Sequence, residues 1–115
     1  MIFDGDTDQL IPAILRPGNA HAGKGIVAIL KRIVQQLRAT FPGVAMAIRA
    51  DAGFALPALY DYCEAEEIAL TVALRHTTRL AAQAAALLAA AVQQSIIAGG
   101  TKVRLVADTV SQAKR

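Results

Sequence analysis

An α/β domain is what this 115-residue chain predicts, and two observations carry that prediction. Ile26, Ile29, Leu30, Ile33, Val34 and Leu37 recur at the three- and four-residue spacing of one helical face. Short apolar runs at residues 44–48 and 68–74 read as strands, with a second helical stretch between them. In order, the elements are strand, strand, helix, strand, helix, strand, helix, strand. That is an α/β pattern with a mixed sheet opening on an antiparallel hairpin and helices packed on it.

The hairpin is expected from residues 1–4 and 9–15, apolar runs separated by Gly5, Asp6, Thr7 and Asp8. Pro12 has no N–H for a ladder, so the second run is an edge strand or is bulged there. Past Arg16, Pro17 and Gly18, a loop with Asn19 and His21 leads into a helix over residues 24–39, which Pro42 and Gly43 stop. The strand over 44–48 ends close to Asp51. Gly53 permits a sharp turn after it, and Pro57 suits the first turn of a helix over 57–66. Leu56, Leu59, Tyr60 and Cys63 form the expected buried side of that helix. The run at 68–74 is a strand beside the one that carries Asp51.

Thr77 or Thr78 caps a long helix over 79–98, closed by Gly99 and Gly100. Leu80, Ala84, Leu87, Leu88, Ala91 and Ile96 supply its apolar face, read as a packing surface. Gln83, Gln93 and Gln94 interrupt it too much for a membrane span, which needs about 20 predominantly apolar residues. Residues 103–106 read as a last strand, and 108–115 turn polar without a closing element.

Composition narrows the function classes. A chain this long holds one domain and a single core. Its 55% hydrophobic residues and mean hydropathy of +0.41 exceed what a small domain hides, so some apolar surface is expected to meet a partner, a homo-oligomer included. The single cysteine, Cys63, excludes an internal disulfide and fits a reducing compartment. The amino terminus shows acidic residues and a strand-like run in place of a secretory leader, so the cytoplasm is expected. Net charge is +3, with Asp4, Asp6 and Asp8 crowded at the start and Arg16, Lys24, Lys31, Arg32 and Arg38 after the first hairpin. That basic stripe is either a solvated helix face or a surface that holds phosphates beside a carboxylate.

Asp51 is the residue best placed for chemistry, because open α/β sheets hold ligands just past the carboxyl ends of their strands. Around it, Arg49-Ala50-Asp51-Ala52-Gly53-Phe54, followed by Pro57-Ala58-Leu59-Tyr60-Asp61-Tyr62-Cys63, resembles the second catalytic block of DDE transposases from bacterial insertion sequences. Phe3-Asp4-Gly5-Asp6-Thr7 and Leu15-Arg16-Pro17-Gly18-Asn19-Ala20-His21 resemble the preceding block. The likeness is strongest over residues 3–63 and weak after Thr78. Ala52 stands where such sequences commonly have serine, and Asp8 where they commonly have glycine. Neither departure touches the carboxylate.

The resemblance implies a partial ribonuclease H-like fold, in which two Mg²⁺ ions about 4 Å apart drive an in-line attack on DNA phosphate. Asp51 would be the catalytic, metal-binding aspartate. Arg16, Asn19, His21, Lys24 and Arg49 would touch DNA at transposon ends, though Arg16 and Arg49 are equally able to pair with Asp4 and Asp6. Residues 1–115 are then expected to be an incomplete catalytic domain, inactive alone. The first catalytic strand and the final catalytic helix, with its glutamate, would lie elsewhere. Asp4 is either a turn residue or, if the first run is the first strand of the core, a second acid facing the same site.

Two other readings stand beside this one. Gly18-Asn19-Ala20-His21-Ala22-Gly23-Lys24-Gly25 matches a P-loop except at its last position, where Gly25 has no hydroxyl for Mg²⁺. A noncatalytic interaction module would account for the apolar excess and the unfinished sheet. His21 and His76 have no partners at metal-ligand spacing, so zinc is not expected.

Overall fold

The chain is described by a computed structural model over residues 1–111. It forms two compact units, Met1–Leu74 and Arg75–Arg115. The first unit contains helix α1 (Ile26–Thr40), strand β1 (Ala47–Ala50), a 3₁₀ turn (Ala52–Phe54), helix α2 (Pro57–Ala65) and strand β2 (Ala69–Val72). The second contains helix α3 (Thr78–Ile97).

The sheet has two strands. β1 and β2 run parallel, with Ala47 opposite Ala69 and Ala50 opposite Val72. The Ala69 N–H donates to Met46 O at 3.1 Å and the Ala73 N–H to Ala50 O at 3.1 Å, extending the ladder at both ends. Parallel neighbours need a crossover, and α2 supplies it. Its carboxyl end closes with Glu67 in the left-handed region (φ 53°) while the Ile68 N–H donates to Cys63 O at 2.8 Å. The chain is thereby turned back into β2.

The antiparallel hairpin expected at the front of the sheet does not form as a pair of strands. Residues 1–12 hold one antiparallel bridge, Phe3 opposite Leu10, and it does not join the sheet. Ile2 donates to Pro12 O and Ile11 to Ile2 O, but Pro12 returns no N–H, so the ladder stops there. Two further corrections concern strands. Val44, Ala45 and Met46 lie outside β1, which begins at Ala47 and runs on to Ala50. Residues 103–106 form no strand; among the described residues of their unit no strand offers a second edge, and Val106 is 91% exposed. Residues 112–115 of the expected polar tail lie outside the described residues.

The core of the first unit lies between helices and strands. Ile26, Leu30 and Val34 repeat every four residues on α1 and meet Leu59, Tyr62 and Cys63 of α2 and Ile68. Ile48 and Leu70 pack against this cluster from the strands. Tyr62 is buried where Tyr60 was expected, since Tyr60 is only half-buried. Arg38 at the end of α1 ties the two helices by donating to the carboxylate of Glu66 and to its carbonyl at 2.6 Å.

Burial pushes the Cys63 thiol and the Tyr62 phenol above their ordinary pKa values, with Glu66 adding to the rise at Tyr62. Both groups stay protonated in the fold and lose their protons more readily when it opens. Their contribution is therefore complete below the unfolded values of about 8.5 and 10, and fades as pH climbs through the folded ones. The melting temperature is expected to fall between pH 8 and pH 10.5, and Cys63→Ala to make that fall shallower. A pH-independent melt over this range would contradict it.

In the second unit Thr77 caps α3, its Oγ1 accepting from the Leu80 N–H at 3.2 Å, and Gly99 and Gly100 close the helix with positive φ. The packing face expected on α3 is not buried: no residue of the helix is, and Leu88 and Ile96 are 64% and 65% exposed. By length and composition alone α3 is apolar enough to cross a membrane, at a hydropathy of 1.5, even with its glutamines. Core helices of soluble proteins meet the same criterion.

Candidate functional site

β1 carries the chain outward and delivers Asp51 just past its carboxyl end. The backbone of Asp51 is extended (φ −82°, ψ 178°), and its side chain caps the 3₁₀ turn: the Gly53 N–H donates to Asp51 Oδ1 at 2.8 Å. The Phe54 N–H donates to Asp51 O at 3.0 Å. The carboxylate is thus fixed by its own turn yet remains exposed. Gly53 suits this turn because a Cβ there would lie 3.0 Å from Asp51 Oδ1 and 3.3 Å from the Ala22 methyl. Strand alternation places exposed Arg49 on the same face as Asp51, opposite Ile48.

The Ala22 contact brings in the loop before α1. Arg16 donates through Nη1 to the carbonyl oxygens of Ala22 and, at 3.5 Å, His21. His21 Nδ1 accepts from the Gly23 N–H at 3.1 Å, and His21 O from the Lys24 N–H at 3.0 Å. Asn19, His21 and Lys24 are exposed on this loop, and Arg16 is half-buried. The structure therefore brings Arg16 and His21 onto a loop that rests against the Asp51 turn. Neither Arg16 nor Arg49 pairs with Asp4 or Asp6 among the described residues.

Gly23 is the residue whose role the sequence left unread. It is buried, and a Cβ on it would fall 2.1 Å from Leu56 Cδ1 and 3.4 Å from Gly53 O. The signal was present in the glycine-rich stretch, but a P-loop explained those glycines as phosphate contacts and not as a close approach of two loops. Gly23→Ala is expected to lower the stability of the unit by about 1–3 kcal/mol through overpacking. Urea denaturation measures this, and adding Leu56→Ala to the same chain should restore part of the loss. Equal losses in the single and double variants would show that the contact is not the cause.

The P-loop context itself is missing, since no strand precedes the loop and α1 starts at Ile26 behind Gly25 in the left-handed region (φ 73°). Asp4 is a turn residue. Its carboxylate accepts from the Thr7 hydroxyl and from the Asp6 N–H, which together hold its pKa below the usual value. Among the described residues no group of three or more His, Cys, Asp or Glu side chains is gathered closely enough to hold a metal ion. Asp51 offers one carboxylate, so these residues alone do not fit a two-metal centre.

Beside Asp51 runs a groove of about 490 Å³, bounded by residues 1–5 on one side and β1 on the other. Ile2, Phe3, Leu30, Val34 and Ile48 give it an apolar lining. β1 is hydrogen-bonded to β2 and pairs with no other strand among the described residues, so its second edge faces this space.

The profile of a protein family described as Transposase DDE domain group 1 matches residues 1–114. Comparison with curated proteins and with solved structures returns no match.

Proposed function

The chain belongs to the transposase DDE domain family, and from that premise we propose that it is part of the catalytic domain of an insertion-sequence transposase, with Asp51 as one of its metal-binding aspartates. The observation that carries this reading is the position of Asp51 past the carboxyl end of β1, exposed and held by the Gly53 N–H. DNA is the partner the family implies, and transposon ends are the DNA we propose. DDE domains work with divalent metal ions. Mg²⁺ is the ion proposed here, because hard carboxylate oxygens suit it and it commonly shares a site between one or two carboxylates, waters and phosphates. When bound, such an ion would activate the attacking oxygen and stabilise the leaving one.

Since Asp51 is one carboxylate without acidic neighbours gathered around it, the remaining ligands are proposed to come from chain outside residues 1–111. The apolar groove along the free edge of β1 suits the missing first strand, whose end would set a second aspartate beside Asp51. Exposed Asn19, His21, Lys24 and Arg49 are the residues proposed to meet DNA phosphates, and the cytoplasm is the proposed compartment. The test joins the chain to the sequence encoded on either side of its reading frame. The extended protein should nick DNA in the presence of Mg²⁺, and the 115-residue chain alone should not. Flanking sequence with neither an aspartate-ending strand nor a glutamate-bearing helix, or an extended protein that leaves DNA intact, would overturn the reading.

A further inference from the structure

We infer that Arg16 is a positioning residue for Asp51, acting through the loop it closes and not as a ligand for phosphate. The inference rests on the reading of Asp51 as a functional carboxylate, but its structural steps are independent of that reading. Arg16 is half-buried and directs Nη1 to the carbonyl oxygens of His21 and Ala22, five and six residues ahead in its own loop. Neither carbonyl lies in a helix or strand, because α1 does not begin until Ile26, and His21 O has only the turn bond from the Lys24 N–H beside it. A guanidinium presents several N–H donors in a rigid fork, and this lets one side chain hold two successive carbonyls and fix the path between them.

What that path touches gives the contact its consequence. The Ala22 methyl lies 3.3 Å from the position a Gly53 Cβ would occupy, and a Cβ on Gly23 would lie 3.4 Å from Gly53 O. Gly53 is the residue whose N–H holds Asp51 Oδ1. The sequence of contacts therefore runs from Arg16 to the carbonyls of residues 21 and 22, from that loop to Gly53, and from Gly53 to the carboxylate. Without the clamp the loop swings free and Gly53 loses the packing of the Ala22 methyl against it. The carboxylate then samples more orientations, although its own side chain is untouched.

Amide hydrogen exchange on the full chain tests this with Arg16→Ala and Arg16→Lys, alongside binding to duplex DNA as a function of salt. Local opening is visible as faster exchange at the amides concerned while the core stays protected. Arg16→Ala should speed exchange at Gly23 and Gly53 by about tenfold or more and leave Leu59 in α2 unchanged; Arg16→Lys, which retains charge and one donor group, should fall between. The salt slope of DNA binding should stay that of the parent chain in both. A slope reduced by about one, with Gly53 exchange unaltered, would make Arg16 a phosphate ligand and overturn the inference. So would equal acceleration at Gly53 and Leu59, which would mean a role in general stability alone. Because exchange at Gly53 needs neither metal nor DNA, it reports on the clamp even if Asp51 proves to bind no metal.

Discussion

Asp51→Asn is expected to reduce Mg²⁺-dependent DNA cleavage by the extended transposase domain about a thousandfold while leaving the fold of this unit in place. The two halves of that expectation have separate physical sources. Asparagine keeps a carbonyl oxygen where Asp51 Oδ1 accepts from the Gly53 N–H, and it is as good a cap as aspartate, so the turn before α2 survives. It surrenders the negative charge that a divalent cation needs. Charge stabilisation by a catalytic metal is worth several kcal/mol, and about 4 kcal/mol corresponds to a factor of about a thousand in rate. Asp51→Ala should show the same loss of cleavage together with a further stability loss of about 1 kcal/mol from the abandoned Gly53 N–H. Cleavage that survives Asp51→Asn within tenfold would remove Asp51 from the metal site, and the capped turn would then be its whole role.

How much of this was legible in the sequence depended on whether an element carries its own signal. The 3.6-residue period of α1 and the Pro57 start of α2 are local, and both helices lie where that reading put them, with ends shifted by a residue or two. The βαβ placement of β1 and β2 was legible too, because an apolar run before and after a short amphipathic helix has few other ways to bury itself. Elements whose formation depends on a partner were misread. Residues 9–15 and 103–106 have strand-like composition, but a strand exists only where a second edge accepts its hydrogen bonds, and composition says nothing about that. The packing face of α3 failed for the same reason: an apolar stripe states what a helix can bury, not what is there to bury it.

The site divides in the same way. The position of Asp51 between a strand end and a turn was legible because a strand, a turn glycine and a helix-starting proline occur together within a few residues. The loop that packs on it was missed as such, since the approach of Gly23 to Leu56 and of Ala22 to Gly53 joins segments about 30 residues apart. Arg16 shows how far this matters. Read alone it is a surface cation beside a proposed DNA site; the structure adds that its Nη1 donates to two carbonyl oxygens of its own loop.

Leu59→Ala is expected to be the most damaging single truncation in the first unit, at about 3 kcal/mol and within the 2–5 kcal/mol range of buried leucines. Leu59 is 1% exposed and sits where α1 and α2 meet. Seven buried apolar residues make up this core, so there is little neighbouring bulk to collapse into the space left behind. Small domains have stabilities of about 5–15 kcal/mol, and one with so thin a core belongs near the lower end. The loss should therefore pull the urea midpoint down sharply or leave the unit partly unfolded in buffer. Leu88→Ala on the exposed face of α3 is the matched control, with an expected change within about 0.5 kcal/mol. The comparison also bears on the groove: Leu59 lines it, so a strand filling that space would add contacts around the leucine and raise the stability from which the loss is counted. The extended domain should then tolerate Leu59→Ala without unfolding, at a free-energy difference no smaller than in the 115-residue chain. If Leu59→Ala costs less than about 1 kcal/mol in the 115-residue chain, the contact between α1 and α2 is not what holds the unit together, and the position of Asp51 would have to depend on the β1–β2 ladder alone.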